Sequence, residues 1–166
     1  MATALGLRER SPPATFVTVE KGGEMLQSRL GTSDIVRDLK QNLLDHGHAH
    51  QVQVVVGFSL AKKNAETVRS HLPPRSVTLL IIDADGEVRS LLDLYHELLS
   101  DHCWLVIDDY FAIGTAAAKS ARTKPQVDAA VAAGELEELG FYGWGTCVGK
   151  RHRAGPEQRA EGVPNE

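Results

Sequence analysis

Cysteine is scarce in this sequence: Cys103 and Cys147 are the two among 166 residues, and each lies inside an apolar stretch. Two thiols without a spaced framework exclude a disulfide-stapled scaffold and suit a reducing compartment. Positive charge is not in excess either, since 18 Lys and Arg against 22 Asp and Glu leave a net charge of −4 and a pI near 6.0. The electrostatic footprint of a nucleic-acid binder or of an anionic-membrane binder is therefore missing. No apolar run approaches the roughly 18 residues that a membrane span needs. The first ten residues break their short apolar stretch with Arg8, Glu9 and Arg10 and lack the charged-then-apolar order of an export signal. No internal repeat is present. These absences predict a soluble, cytoplasmic protein whose partners include neither nucleic acid nor membrane. What is there, 42% hydrophobic and 24% charged residues over about one domain's length, is the composition of a folded globular chain.

Apolar periodicity alternates along the chain between two kinds of segment. Thr15 to Glu20 is rich in β-branched residues between Pro12-Pro13 and Gly22-Gly23, and reads as a short strand. Asp34 to His46 spaces Ile35, Leu39 and Leu43 by four residues behind a capping run, which predicts an amphipathic helix. Gln51 to Val56 is a near-continuous β-branched run that Gly57-Phe58-Ser59 ends, and Ala61, Ala65, Val68 and Leu72 then recur at helical spacing as far as Pro73-Pro74. Val77 to Asp83 is the strongest buried-strand pattern, followed by one helical face of Val88, Leu91, Leu92, Tyr95, Leu98 and Leu99. A further strand is expected over Cys103–Asp109. Next come a helix over roughly Thr115 to Ala133 interrupted at Pro125, and a hairpin of Leu136–Tyr142 and Trp144–Lys150. The expected organisation is a flexible N-terminal extension (1–14), one α/β domain (15–151) and a disordered tail (152–166).

Strands that alternate with helices in this way form a mostly parallel sheet covered by helices on both faces, and ligands bind beyond the carboxyl ends of its strands. Glu20, Asp83, Asp108 and Asp109 fall at those ends. Three carboxylates at two strand tips crowd negative charge that a hard divalent cation would relieve, and Mg²⁺ takes carboxylates together with waters and substrate oxygens. The competing reading is that such Asp residues cap the helices that follow. The acidic pocket of a receiver domain fits poorly, because there the acidic pair precedes the lone Asp, whereas here it follows.

The segments Leu80-Ile81-Ile82-Asp83-Ala84-Asp85, Leu91-Leu92-Asp93-Leu94-Tyr95, Leu105-Val106-Ile107-Asp108-Asp109-Tyr110 and Gly143-Trp144-Gly145-Thr146, in this order, resemble the later half of a class I S-adenosylmethionine-dependent methyltransferase. The branch they resemble is the one similar to catechol O-methyltransferase, over roughly Thr15 to Arg151. The resemblance implies an α/β, Rossmann-like methyltransferase sheet with helices on both faces and a C-terminal antiparallel hairpin. Its central first strand and glycine-rich loop are expected to be missing, as in an N-terminal truncation. It implies S-adenosylmethionine as cofactor, with Glu20 on the ribose and Gly57, Phe58 and Ser59 beside the adenine, and with Asp83 also counted in the cofactor site. It implies Mg²⁺ or another divalent cation on Asp83, Asp108 and Asp109. Three residues after Asp83, where relatives commonly carry Lys or His, stands Gly86, which leaves Asp85 as the catalytic candidate.

The implied activity is Mg-assisted methyl transfer to a hydroxyl of a small-molecule acceptor. The alternative is a non-catalytic remnant of the fold that acts through protein contacts, and the exposed sheet edge left by a missing strand could pair copies into a homo-oligomer. Other signals read as structural. His46, His48 and His50 are expected in a solvent-exposed loop rather than on a metal. Gly145 to Lys150 is the last strand rather than a phosphate loop. Trp104 and Trp144 are expected in the core, His96 and His102 in structural roles, and Arg122 and Lys124 in solvent.

Overall fold

The computed structural model describes residues 14–24, 31–84, 86–111, 117–143 and 145–152. Asp85 and Trp144 lie outside the described residues, as do all but Ala14 of the expected extension and all but His152 of the expected tail. The chain divides between Pro73 and Pro74 into two compact units.

The first unit contains β1 (Phe16–Glu20), α1 (Ile35–Asp45), β2 (Val52–Val56) and α2 (Lys62–His71). β1 and β2 pair in parallel, with Glu20 opposite Val56, so the two strands end side by side. The N-cap is Asp34, the first residue of the predicted helix, whose side chain accepts the Arg37 amide at 2.9 Å and so satisfies one orphan donor of the first turn. After α1 the chain doubles back, and the His48 amide bonds the Leu43 carbonyl at 2.8 Å. That turn draws His48 inward to 1% exposure, with Nδ1 3.2 Å from Gln51 Oε1, while His46 and His50 stay outside. The expectation of an exposed histidine triplet is thus corrected at its middle member. Ala65 and Val68 of α2 are buried together with Val52 and Val55.

The second unit holds β3 (Val77–Ile82), α3 (Val88–Tyr95), β4 (Leu99–Ile107), α4 (Ala117–Ala132), β5 (Leu136–Tyr142) and β6 (Thr146–Arg151). Its sheet runs β3-β4-β6-β5, with β3 and β4 parallel and β6 antiparallel to both of its neighbours. Three elements differ from the sequence reading. Leu98 and Leu99 belong to a turn and to the start of β4 rather than to the helix. The Arg75 and Val77 amides take the carbonyls of Glu97 and Leu98, and this pairing pulls the chain into the strand four residues early. α4 runs unbroken through Pro125. One helical bond is forfeited there, yet the Gln126 side chain donates to the carbonyls of Arg122 and Gly86 and accepts the Arg89 amide at 2.8 Å, tying α4 to the start of α3.

The third difference is Trp104. Cys103, Leu105, Ile107 and Cys147 are buried on one face of this sheet. The other face carries Leu79, Ile81 and Trp104, exposed by 43%, 47% and 47%. Period-two alternation makes these two sets opposite, and the register sets Leu79 beside Trp104 and Ile81 beside Val106. Trp104 is therefore a half-exposed aromatic on the less buried face, not a core residue.

Candidate functional site

β3 and β4 are hydrogen-bonded in parallel up to the pair Ile82 and Ile107, so the residues that follow each strand leave the sheet at the same edge. The Asp108 amide bonds the Ile82 carbonyl at 2.9 Å, which extends the pairing one step into the loops. Asp83, Asp108 and Asp109 each offer a carboxylate oxygen, and these oxygens lie within 4.8 Å of one another. Among the described residues no other group of three potential ligands converges in this way.

Glu87, at the entry to α3, makes no side-chain cap bond. Thr146 Oγ1 on β6 donates to Asp108 Oδ1 at 2.9 Å, and Lys119 Nζ on α4 lies 3.2 Å from Asp109 Oδ2. Asp109 sits in the left-handed region at φ 55°, which Asp and Asn tolerate better than other side chains because their short polar group can bond locally. All three ligand atoms are hard carboxylate oxygens, the donor chemistry that Mg²⁺ or Mn²⁺ takes.

The next turn is fixed firmly. Tyr110 is buried, stacks on Phe141 at 4.7 Å between ring centroids, and donates through its hydroxyl to Asp128 Oδ1 at 2.7 Å. Lys124 Nζ reaches both that hydroxyl (3.0 Å) and Asp128 Oδ2 (2.6 Å). Burial raises the Tyr110 phenol pKa above its ordinary value. The bond from Lys124, and then that from Tyr110, lowers the pKa of the Asp128 carboxyl. Lys124, expected in solvent, is thus half of an ion pair. The Phe111 amide bonds the Gly145 carbonyl at 3.0 Å, and a Cβ at Gly145 would come within 1.5 Å of the Phe111 carbonyl oxygen. Only glycine permits that approach.

Gly86 has an equally local cause. Its φ is +84°, and a Cβ there would lie 2.7 Å from Arg122 Cβ on α4. A Lys or His cannot occupy this position without moving α4, which explains in steric terms why the resembling motif breaks here. Asp85, the catalytic candidate, lies outside the described residues, and its placement is therefore not part of the site geometry.

In the first unit, the paired ends of β1 and β2 bring Glu20 and the loop Gly57-Phe58-Ser59 together, and the Gly57 amide bonds the Glu20 carbonyl at 2.9 Å. The Glu20 carboxylate accepts the Gly22 amide at 3.1 Å through Oε1. Phe58 is 64% exposed, with Lys21 Nζ 5.3 Å from its ring centroid, a cation–π arrangement. Asn64 of α2 holds the loop by donating to the Phe58 carbonyl at 2.9 Å. An acceptor for hydroxyls and a flat apolar wall therefore stand at one strand edge.

Sequence reasoning missed Lys119, Thr146 and Lys21. Thr146 lies 38 residues from its partner Asp108 and Lys119 lies ten from Asp109, and neither spacing carries a periodic signal. Lys21, by contrast, directly follows Glu20, and a cation beside the acidic strand end was visible as a candidate.

No protein-family model matches the chain, and a comparison with curated proteins found no match. Solved structures do match. The O-methyltransferase TomG from Streptomyces achromogenes, involved in tomaymycin synthesis and solved with S-adenosylmethionine, superposes with a TM-score of 0.61 at 14% identity, over 92% of this chain and 68% of its own. A Staphylococcus aureus protein assigned as a caffeoyl-CoA O-methyltransferase gives 0.61 at 13% identity, over 82% and 64%. A methyltransferase from Geobacter sulfurreducens gives 0.58 at 15% identity, over 92% and 66%. The chain thus spans about two thirds of the length of these proteins. At such identities the likeness establishes the fold alone, a Rossmann-like arrangement of mixed strands with flanking helices and a C-terminal antiparallel hairpin, as in these methyltransferases. None of the described helices is long and apolar enough to cross a membrane.

Proposed function

We propose that this chain is a methyltransferase domain that transfers the methyl group of S-adenosylmethionine to a hydroxyl of a small molecule, assisted by Mg²⁺ or another divalent cation. The observation that carries the reading is the convergence of the Asp83, Asp108 and Asp109 carboxylates at the ends of β3 and β4 in a class I methyltransferase fold. A divalent ion bound there would lower the pKa of an acceptor hydroxyl and so favour its attack. Thr146 would orient the ligating Asp108 carboxylate. Glu20 is suited to accept hydrogen bonds from ribose hydroxyls, and the Gly57-Phe58-Ser59 loop to wall an adenine. Asp85 is the proposed proton acceptor, and residues 15–151 would act as one functional domain in the cytoplasm.

Calorimetric titration tests the reading. Mg²⁺ or Mn²⁺ should bind, and Asp108→Ala should weaken that binding at least tenfold; equal binding by both proteins would remove the metal site. S-adenosylhomocysteine should bind weakly, because Glu20 and the Phe58 loop would supply only the ribose and adenine ends. Absence of any binding would favour a second reading, a non-catalytic domain of this fold that acts through protein contacts. That second reading has its own support in the half-exposed apolar side chains of Leu79, Ile81 and Trp104. A homo-oligomer formed through a sheet edge belongs to the same proposal, and sedimentation velocity over a concentration series tests it.

A further inference from the structure

Lys119 Nζ lies 3.2 Å from Asp109 Oδ2, and the two side chains differ in their freedom. The Asp109 side chain is only 16% exposed and is fixed in a left-handed turn, whereas the Lys119 side chain is 41% exposed on the first turn of α4. Asp109 is held in place by its turn, while the Lys119 ammonium is carried on a flexible four-carbon stem. The ammonium occupies one oxygen of the carboxylate that a divalent ion would need.

We propose that Lys119 is a tethered cation that competes with the divalent ion for Asp109 and so sets the metal concentration at which the site fills. The proposal rests on the metal reading above. An entering divalent ion either displaces the ammonium from Asp109 or keeps it as a like charge a few ångströms away. Both outcomes cost the ion affinity. In the metal-free site, Lys119 relieves part of the repulsion among the three carboxylates and allows the cluster to form without an ion. The role does not depend on Lys119 changing protonation, since charge and position suffice.

The test uses the full chain, first stripped of metal with a chelator, and Mn²⁺ as the probe, with binding read by calorimetry and by the loss of the free-ion electron paramagnetic resonance signal. Removing one unit charge about 4–5 Å from a divalent ion at a water-rich surface should tighten Mn²⁺ binding by roughly tenfold in Lys119→Met. Lys119→Arg, which keeps the charge, should bind as the unaltered chain does. Circular dichroism and thermal melts of each variant show whether the fold is retained. Unchanged or weaker binding by a folded Lys119→Met would overturn the competitor role while leaving the metal site standing; weaker binding would make Lys119 a support for Asp109 instead. No Mn²⁺ binding at millimolar concentration by any of the three proteins would overturn the metal reading and this inference together.

Discussion

The two faces of the four-stranded sheet are built from the same strands and from similar residues, yet they live in different solvents. On β4, Leu105 and Ile107 are 1% exposed, while Trp104 between Cys103 and Leu105 is 47% exposed. Hydrophobicity does not separate them. The covered face owes its burial to tertiary neighbours, including α3 and α4, whose Val88, Leu91, Tyr95, Val127 and Ala130 are themselves buried. Apolar character along a strand says that burial would be favourable, not that a partner is present.

Truncation on the covered face should give the largest effect. Leu105→Ala or Ile107→Ala should cost about 2–5 kcal/mol in chemical denaturation, through lost transfer energy and a residual cavity. Trp104→Ser or Ile81→Ser on the opposite face should change stability by less than about 1 kcal/mol and improve solubility. The contrast breaks if Trp104→Ser costs as much as Leu105→Ala, because that would mean the face is covered in solution, and a parallel fall in sedimentation coefficient would identify a second copy as the cover.

The thiols sharpen the same contrast, since Cys103 and Cys147 both belong to the covered face. Burial pushes each pKa up to about 11 from 9.0. The unfolded chain loses these protons at lower pH than the folded one. Stability should therefore be unaffected below pH 9 and fall between pH 9 and 11, by roughly 2–3 kcal/mol per thiol. Denaturation midpoints at pH 8 and pH 10.5 check the sign, with Cys103→Ala/Cys147→Ala as the control that flattens the slope. Both thiols should also resist alkylation in the native state at pH 8 and react only on unfolding. Rapid modification of either would show that the covered face opens.

The smallest effect belongs to α4, where Asp128 pairs with Lys124 and Tyr110. The Asp128 pKa is lowered, so its contribution is present above the unfolded value of 3.8 and is lost as pH falls through the folded one. Both charged partners are about half exposed, so the loss should be slight and further reduced by salt. Asp128→Asn should remove that shallow acid limb from a stability profile measured below pH 4. An unchanged limb would assign it to other carboxylates.

Much of the architecture was legible in the order of the residues. Period-two and 3.6-residue patterns depend on local geometry, which is why β1, α1, β2, α2, β3 and the β5–β6 hairpin lie within a few residues of where the pattern put them. The acidic strand ends were legible for the same reason: a run of β-branched residues followed by Asp marks its own carboxyl end. The meeting of Asp83 with Asp108 and Asp109 needed one further step, namely that strands joined by a helix lie parallel and finish at the same edge.

Contacts between distant segments were not legible. Nothing near Asp109 announces Lys119, nothing near Asp108 announces Thr146, and the Gly86 break gains its meaning only from Arg122 on another helix. His48 and Trp104 changed places relative to expectation, one drawn inward by a helix-ending turn and the other left half exposed. Local stereochemistry and apolar spacing act over a handful of residues, so the sequence by itself determined the elements and the charge at their ends. Which face is covered, which cation meets which acid and which glycine must stay glycine depend on side chains that only packing brings together, and the tertiary structure alone decided those.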